Sequence, residues 1–239
     1  MQARDIDYRC GEVNLRGYLA HDESTAGKRP GVLVFHEGLG LGDFAMERAR
    51  RLAALGYVAL AADMFGDRRQ ASNLQEVANL VGGLRAEPQK LRARGRAALE
   101  TLAALPQVDA GRLAAIGFCF GGSVVLELAR EGADLKAVVS FHGVLTTKMP
   151  AQPGQIKASV LVCTGVDDPL APPEQVADFE DEMRAGRVKD WQVIAYGNTL
   201  HGFTNPAADG SMMRTALYNE QADHRSWALM KSLFDEVLT

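Results

Sequence analysis

The chain has 239 residues, 47% of them hydrophobic and 23% charged, with a formal net charge of −4. That balance suits a globular protein with a sizeable core, and the acidic sign argues against nucleic acid, which attracts a basic face. The opening MQARDIDYRC lacks the apolar run of a signal peptide, and stretches such as YVALAAD and ASVLVC fall far short of the ~20 apolar residues of a membrane span.

Cys10, Cys119 and Cys163 are odd in number and widely spread, which fits neither a disulfide framework nor a CxxC metal pair. A reducing cytoplasm is the expected location. No linker, composition shift or internal repeat divides the chain. Residues 1–239 are therefore expected to form one domain, with a monomer as the default.

The segments DIDYRC and EVNLRGYLA predict an N-terminal strand pair around Gly11. GVLVFH (31–36) is a nearly continuous apolar run, the mark of a strand covered on both faces. A helix near 43–54 and the strand YVALAAD (57–63) follow. A long helical region from about 71 to 105 is predicted to be interrupted near Gly82-Gly83 and Pro88. Within it Lys90, Arg92, Arg94 and Arg96 read as a solvated helix face. RLAAIGF (112–118) predicts a strand, and 120–131 a helix. LKAVVSF (135–141) and ASVLVCTG (158–165) are two more strands. A helix starts near Pro173, and WQVIAY (191–196) is the last strand. The final helix covers about 218–238, where Trp227, Met230, Phe234 and Val237 share one face. The alternation predicts an α/β fold, a mostly parallel sheet of about eight strands with helices on both faces.

In RLAAIGFCFGGSVVLELA a strand runs into G-x-C-x-G and then into a helix. This is the nucleophile-elbow pattern with cysteine in place of serine. Gly117 and Gly121 remove side chains that would collide in so tight a turn. The Cys119 thiol would project over the helix N-terminus, where free N–H groups favour a thiolate or an oxyanion. Cys163 lacks elbow glycines and reads as core.

A nucleophile needs a base, and the base needs an orienting acid; in this pattern the chain order is nucleophile, acid, histidine. His201, in YGNTLHGFTNP after the last strand, stands where the base is expected. His142, in SFHG, precedes the acid position and reads as structural or pocket-lining. His224 falls among charged residues, and His21 in a polar loop. VDDPLAP offers Asp167 and Asp168 as the acid, and spacing alone does not choose between them. The loop EGLGLGD after GVLVFH is expected to supply one oxyanion-hole N–H, from Gly38, and the residue after the nucleophile, Phe120, the other.

Cys119 with its glycines, HEGLGL, DDPLAP and HGFTNP, in that order over nearly the whole chain, resemble the dienelactone hydrolase family of α/β-hydrolases. The resemblance implies the α/β-hydrolase fold and a Cys119–Asp168–His201 triad, with no metal and no cofactor. It selects Asp168 because the family's acid stands four residues before the proline opening the next helix, here Pro172. It also implies that Glu37 hydrogen-bonds the resting thiol and moves away when substrate binds. Members acting on dienelactone itself carry an arginine four residues after the histidine. This chain has Asn205 there, followed by Pro206, which argues against dienelactone as substrate. Arg85 lies near the second family arginine in sequence without a clear match. The expected activity is hydrolysis of a small ester, lactone or thioester through an acyl-enzyme, with no nucleic-acid or membrane partner. A non-catalytic ligand-binding or thiol redox-sensing protein on the same fold, or an acyltransferase, are the alternatives.

Overall fold

The computed structural model describes residues 1–23 and 27–239. Strands β1 (Gln2–Cys10) and β2 (Val13–His21) form an antiparallel hairpin whose turn is made at Gly11, with φ +57°. β2 also pairs antiparallel with β4 (Val58–Ala62). From there β3 (Arg29–Phe35), β5 (Val108–Phe118), β6 (Ala137–Phe141), β7 (Ser159–Gly165) and β8 (Trp191–Tyr196) run parallel. The order across the sheet is β1-β2-β4-β3-β5-β6-β7-β8.

Side chains alternate between two cores, as the period of a strand requires. Val32 and Val34 pack toward α1 (Asp43–Ala54) and α6 (Glu220–Val237), through Ala45, Leu52, Met230 and Phe234. Leu33 and Phe35 belong to the opposite core, with α2 (Leu74–Ala86), α3 (Pro88–Ala103), α4 (Phe120–Arg130) and α5 (Pro173–Ala185). Every residue of β4 and β6 is buried, which is why these strands read as unbroken apolar runs. No helix among the described residues is long and apolar enough to cross a membrane.

Three expectations need correction. The long helical region breaks only at Glu87–Pro88, while Gly82 and Gly83 stay inside α2. Proline opens α3 and pushes the preceding residue out of helical geometry, whereas a helical glycine costs only about 1 kcal/mol. His21 is not in a loop but closes β2, opposite Gln2. The basic run is not uniformly solvated. Arg92 is buried against Glu127 and the Met149 carbonyl, and Arg94 donates to the Met64 carbonyl. Only Lys90 and Arg96 remain on the surface, paired with Glu87 and Glu131.

Candidate active site

The carboxyl ends of β5, β6 and β7 and the loop after β8 converge on one cleft. Cys119 joins β5 to α4 with φ 53° and ψ −112°, a strained conformation for a residue with a side chain. The neighbouring glycines make the turn possible. A Cβ on Gly117 would lie 1.9 Å from the Gly121 carbonyl oxygen, and one on Gly121 would lie 2.2 Å from that of Phe35. Gly121 N–H donates to the His36 carbonyl, binding the start of α4 to the end of β3. Phe120 is the first residue of α4, so its N–H has no carbonyl one turn back to bond.

His201 Nδ1 lies 2.8 Å from Asp168 Oδ2, both side chains buried. Asp168 Oδ1 accepts the Leu170 N–H, which fixes the carboxylate in the turn after β7. The His201 backbone is clamped by a hydrogen bond to Thr215 and one from Leu217. Among the described residues its Nε2 has no well-aligned hydrogen-bond partner, and Cys119 lines the same cleft. Burial disfavours a charged imidazole here, but Cys119 and the Asp168 carboxylate outweigh it and raise the His201 pKa to about 10. The arrangement therefore favours a protonated His201 beside Cys119. Asp167 is exposed on the same turn and has no contact with the imidazole ring among those resolved.

Gly38 and Glu37 line the cleft with Cys119 and Phe120. Glu37 Oε2 accepts a hydrogen bond from Asn205 Nδ2 at 2.8 Å. Glu37 keeps partial exposure through the cleft but is otherwise enclosed by protein. Burial raises its pKa, with the Asn205 hydrogen bond and His201 opposing. Cys163 is sealed in β7, where burial pushes its thiol up to about 12, and His224 is exposed on α6. No group of three or more His, Cys, Asp or Glu side chains among the described residues is placed to hold a metal ion.

The profile of the dienelactone hydrolase family matches residues 15–238. The chain belongs to the dienelactone hydrolase family. A solved structure named m3DLH is 49% identical, superposes with a TM-score of 0.94, and is matched over 100% of this chain and 99% of its own. A dienelactone hydrolase-like promiscuous phosphotriesterase, P91, from metagenomic libraries is 46% identical with a TM-score of 0.93, over the same shares of the two chains. An Escherichia coli (strain K12) protein that carries the name carboxymethylenebutenolidase is 29% identical over 201 residues, 80% of this chain and 73% of its own. Its family makes the protein a hydrolase on the α/β-hydrolase fold.

Three more residues support this family member's site, and the sequence points to Arg85 alone among them, without giving it a role. His36 is fully buried, with Nδ1 2.6 Å from the Glu37 carbonyl, while Nε2 accepts the Met64 N–H. Desolvation lowers its pKa, and the neutral ring braces the Glu37–Gly38 loop. Arg48 of α1 is buried, paired with Asp223 of α6, and donates to the Thr204 carbonyl beside the His201 loop. Arg85 of α2 lines the cleft and donates to Thr146 Oγ1 at 3.2 Å. Burial lowers its pKa, and Cys119 and Glu127 oppose that shift. Apart from the His36–Glu37 contact, these bonds join residues far apart in the chain, so no local motif announces them.

The cleft has a volume of about 410 Å³. Leu74, Val77 and Val81 of α2 form one apolar wall; Leu170, Met212 and Met213 contribute others. Leu74, Leu170 and Met212 remain exposed at its mouth.

Proposed function

We propose that the protein hydrolyses small, largely apolar carboxylic esters, lactones or thioesters, with Cys119 as nucleophile, His201 as acid and base, and Asp168 as its orienting acid. The observation that carries this reading is the His201 imidazole, held by Asp168 at 2.8 Å and lining the same cleft as the elbow cysteine. The Cys119 thiolate attacks the carbonyl carbon, and the developing oxyanion takes the N–H groups of Gly38 and Phe120. Losing one such donor typically costs ~10²–10³ in rate. Collapse of the adduct breaks the bond to the leaving group, which receives the His201 proton. Water then gives a proton to His201 and attacks the thioester, releasing the carboxylic acid and restoring the thiolate.

Glu37 restrains the thiol in this scheme, and Asn205 is the partner that holds it when the thiol is paired with His201. The apolar walls favour neutral substrates, and Asn205 offers no cation at the position where dienelactone-binding relatives have arginine. The 46% identity with a protein described as a promiscuous phosphotriesterase supports a secondary phosphotriesterase activity in the same cleft. A reducing compartment such as the cytoplasm keeps the thiol usable.

Turnover of aryl esters, lactones and thioesters by wild type, Cys119→Ala and Cys163→Ala tests the reading. Loss confined to Cys119→Ala is expected. Full activity in Cys119→Ala would overturn the assignment. Acyl transfer to an added alcohol in preference to water would move the protein to the acyltransferases. Reversible Cys119 oxidation with no turnover of any activated ester would favour a redox sensor.

A further inference from the structure

His142 is a fully buried histidine outside the triad, and its surroundings are specific. Phe118 of β5 and Phe141 of β6 are register partners, so Cys119 and His142 are the residues with which two neighbouring strands leave the sheet. Both have positive φ, 53° at Cys119 and 41° at His142. For a residue with a Cβ this backbone costs roughly 1–2 kcal/mol, so hydrogen bonds must hold it. The His142 N–H donates to the Cys163 carbonyl of β7. Its ring reaches back to the elbow: Nδ1 accepts the Cys119 backbone N–H at 3.1 Å, a hydrogen shared with the Phe141 carbonyl at 3.0 Å.

That bond decides the tautomer. Nδ1 carries the lone pair, so the proton sits on Nε2 and is donated to Thr204 Oγ1 at 2.8 Å. The ring also stands edge-on to His201, with centroids 5.0 Å apart, and to Phe203 at 5.2 Å. The groups that bear on it are His201 from the loop after β8, Cys119 from the elbow, and Arg48 from α1, itself paired with Asp223 of α6.

We propose that His142 is a positioning residue for the catalytic pair: a permanently neutral Nε2–H imidazole that holds the nucleophile through its backbone N–H while its ring seats His201. The proposal rests on the reaction proposed above. Protonation of Nδ1 would turn the acceptor into a donor aimed at the Cys119 N–H, and would place a cation against the His201 imidazolium. A phenylalanine would keep the ring packing and lose the acceptor. An asparagine would place Oδ1 where Nδ1 stands, tolerate the left-handed backbone, and never titrate.

The test compares wild type, His142→Phe and His142→Asn, with Cys119→Ala as reference. In His142→Phe, kcat should fall about tenfold to hundredfold with KM little changed, since the nucleophile is misplaced rather than the cleft reshaped. Iodoacetamide alkylation of Cys119 should slow with it, and His142→Asn should recover most of both. In wild type labelled with ¹⁵N-histidine, His142 should show a bare Nδ1 and a protonated Nε2 between about pH 5 and 9. Wild-type kcat in His142→Phe, or equal losses in the phenylalanine and asparagine variants at matched Tm, would overturn the proposal. So would a protonated Nδ1, and that readout decides the matter if His142→Phe does not fold. Ester turnover surviving in Cys119→Ala would instead overturn the underlying reaction, and leaves the nitrogen assignment to be judged by its spectrum.

Discussion

Gly121→Ala puts the geometry of the elbow to a direct test. The added Cβ would lie 2.2 Å from the Phe35 carbonyl oxygen, 2.5 Å from its carbon and 2.8 Å from the His36 carbonyl oxygen. All three atoms are backbone, so no side chain can swing aside. Ordinary contact begins near 3.4 Å, leaving a shortfall of about 1.2 Å between the start of α4 and the end of β3. Those two segments carry Phe120 and the Glu37–Gly38 loop, and the Gly121 N–H···O bond to His36 joins them. Overpacking of this kind costs about 3 kcal/mol, a fall in Tm of roughly 6–12 °C for a chain of this length. Spreading the two oxyanion donors by about 1 Å should lower kcat by ~10². Gly82→Ala is the control, because a Cβ there meets nothing within 4 Å. That variant should keep kcat and gain roughly 0.5–1 kcal/mol from better helix propensity. Ester turnover with a thermal melt reads both. Wild-type kcat and Tm in Gly121→Ala would refute the argument.

In His201→Gln, the profile of Cys119 alkylation against pH should lie well below that of wild type near neutral pH, because the imidazolium partner of the thiolate is gone. Similar profiles for the two proteins would mean that His201 does not hold the thiolate. Glu37→Gln should speed iodoacetamide labelling of Cys119, as expected of a group that restrains the thiol. It should also stabilise the fold at alkaline pH. The Glu37 pKa is raised by burial, so its contribution is complete below the ordinary carboxylate range and is lost as pH rises through the raised value. Melts of the two proteins should therefore nearly coincide around pH 4 and separate above it. Glu127→Ala would remove the carboxylate shared by two buried guanidinium groups, leaving Arg92 without an ion pair while Arg130 keeps Glu182. The expected loss is about 3–5 kcal/mol, on the order of 10 °C in Tm, with little effect on KM.

The fold and the candidate site were legible wherever the signal is local. Apolar runs such as GVLVFH carry it because both faces of a central strand are covered. G-x-C-x-G carries it because the backbone can turn so sharply only with glycines at 117 and 121, and DDP and HGF follow in the order the topology demands. Tertiary structure decided what depends on residues meeting across the chain. Spacing left Asp167 and Asp168 equal, and the turn after β7 aims one of them at His201. Arg92 and Arg94 look like a solvated stripe until α4 brings Glu127 to the first and the end of β4 brings the Met64 carbonyl to the second. Gly82-Gly83 looks like a break until the rest of α2 carries it through. His142 gives no sequence sign of its partners, because the register of β5 with β6 is what sets its ring beside Cys119. Periodicity and turn chemistry act over a few residues and are written in the chain; the partner of a buried polar group is chosen by packing, which the chain specifies only as a whole.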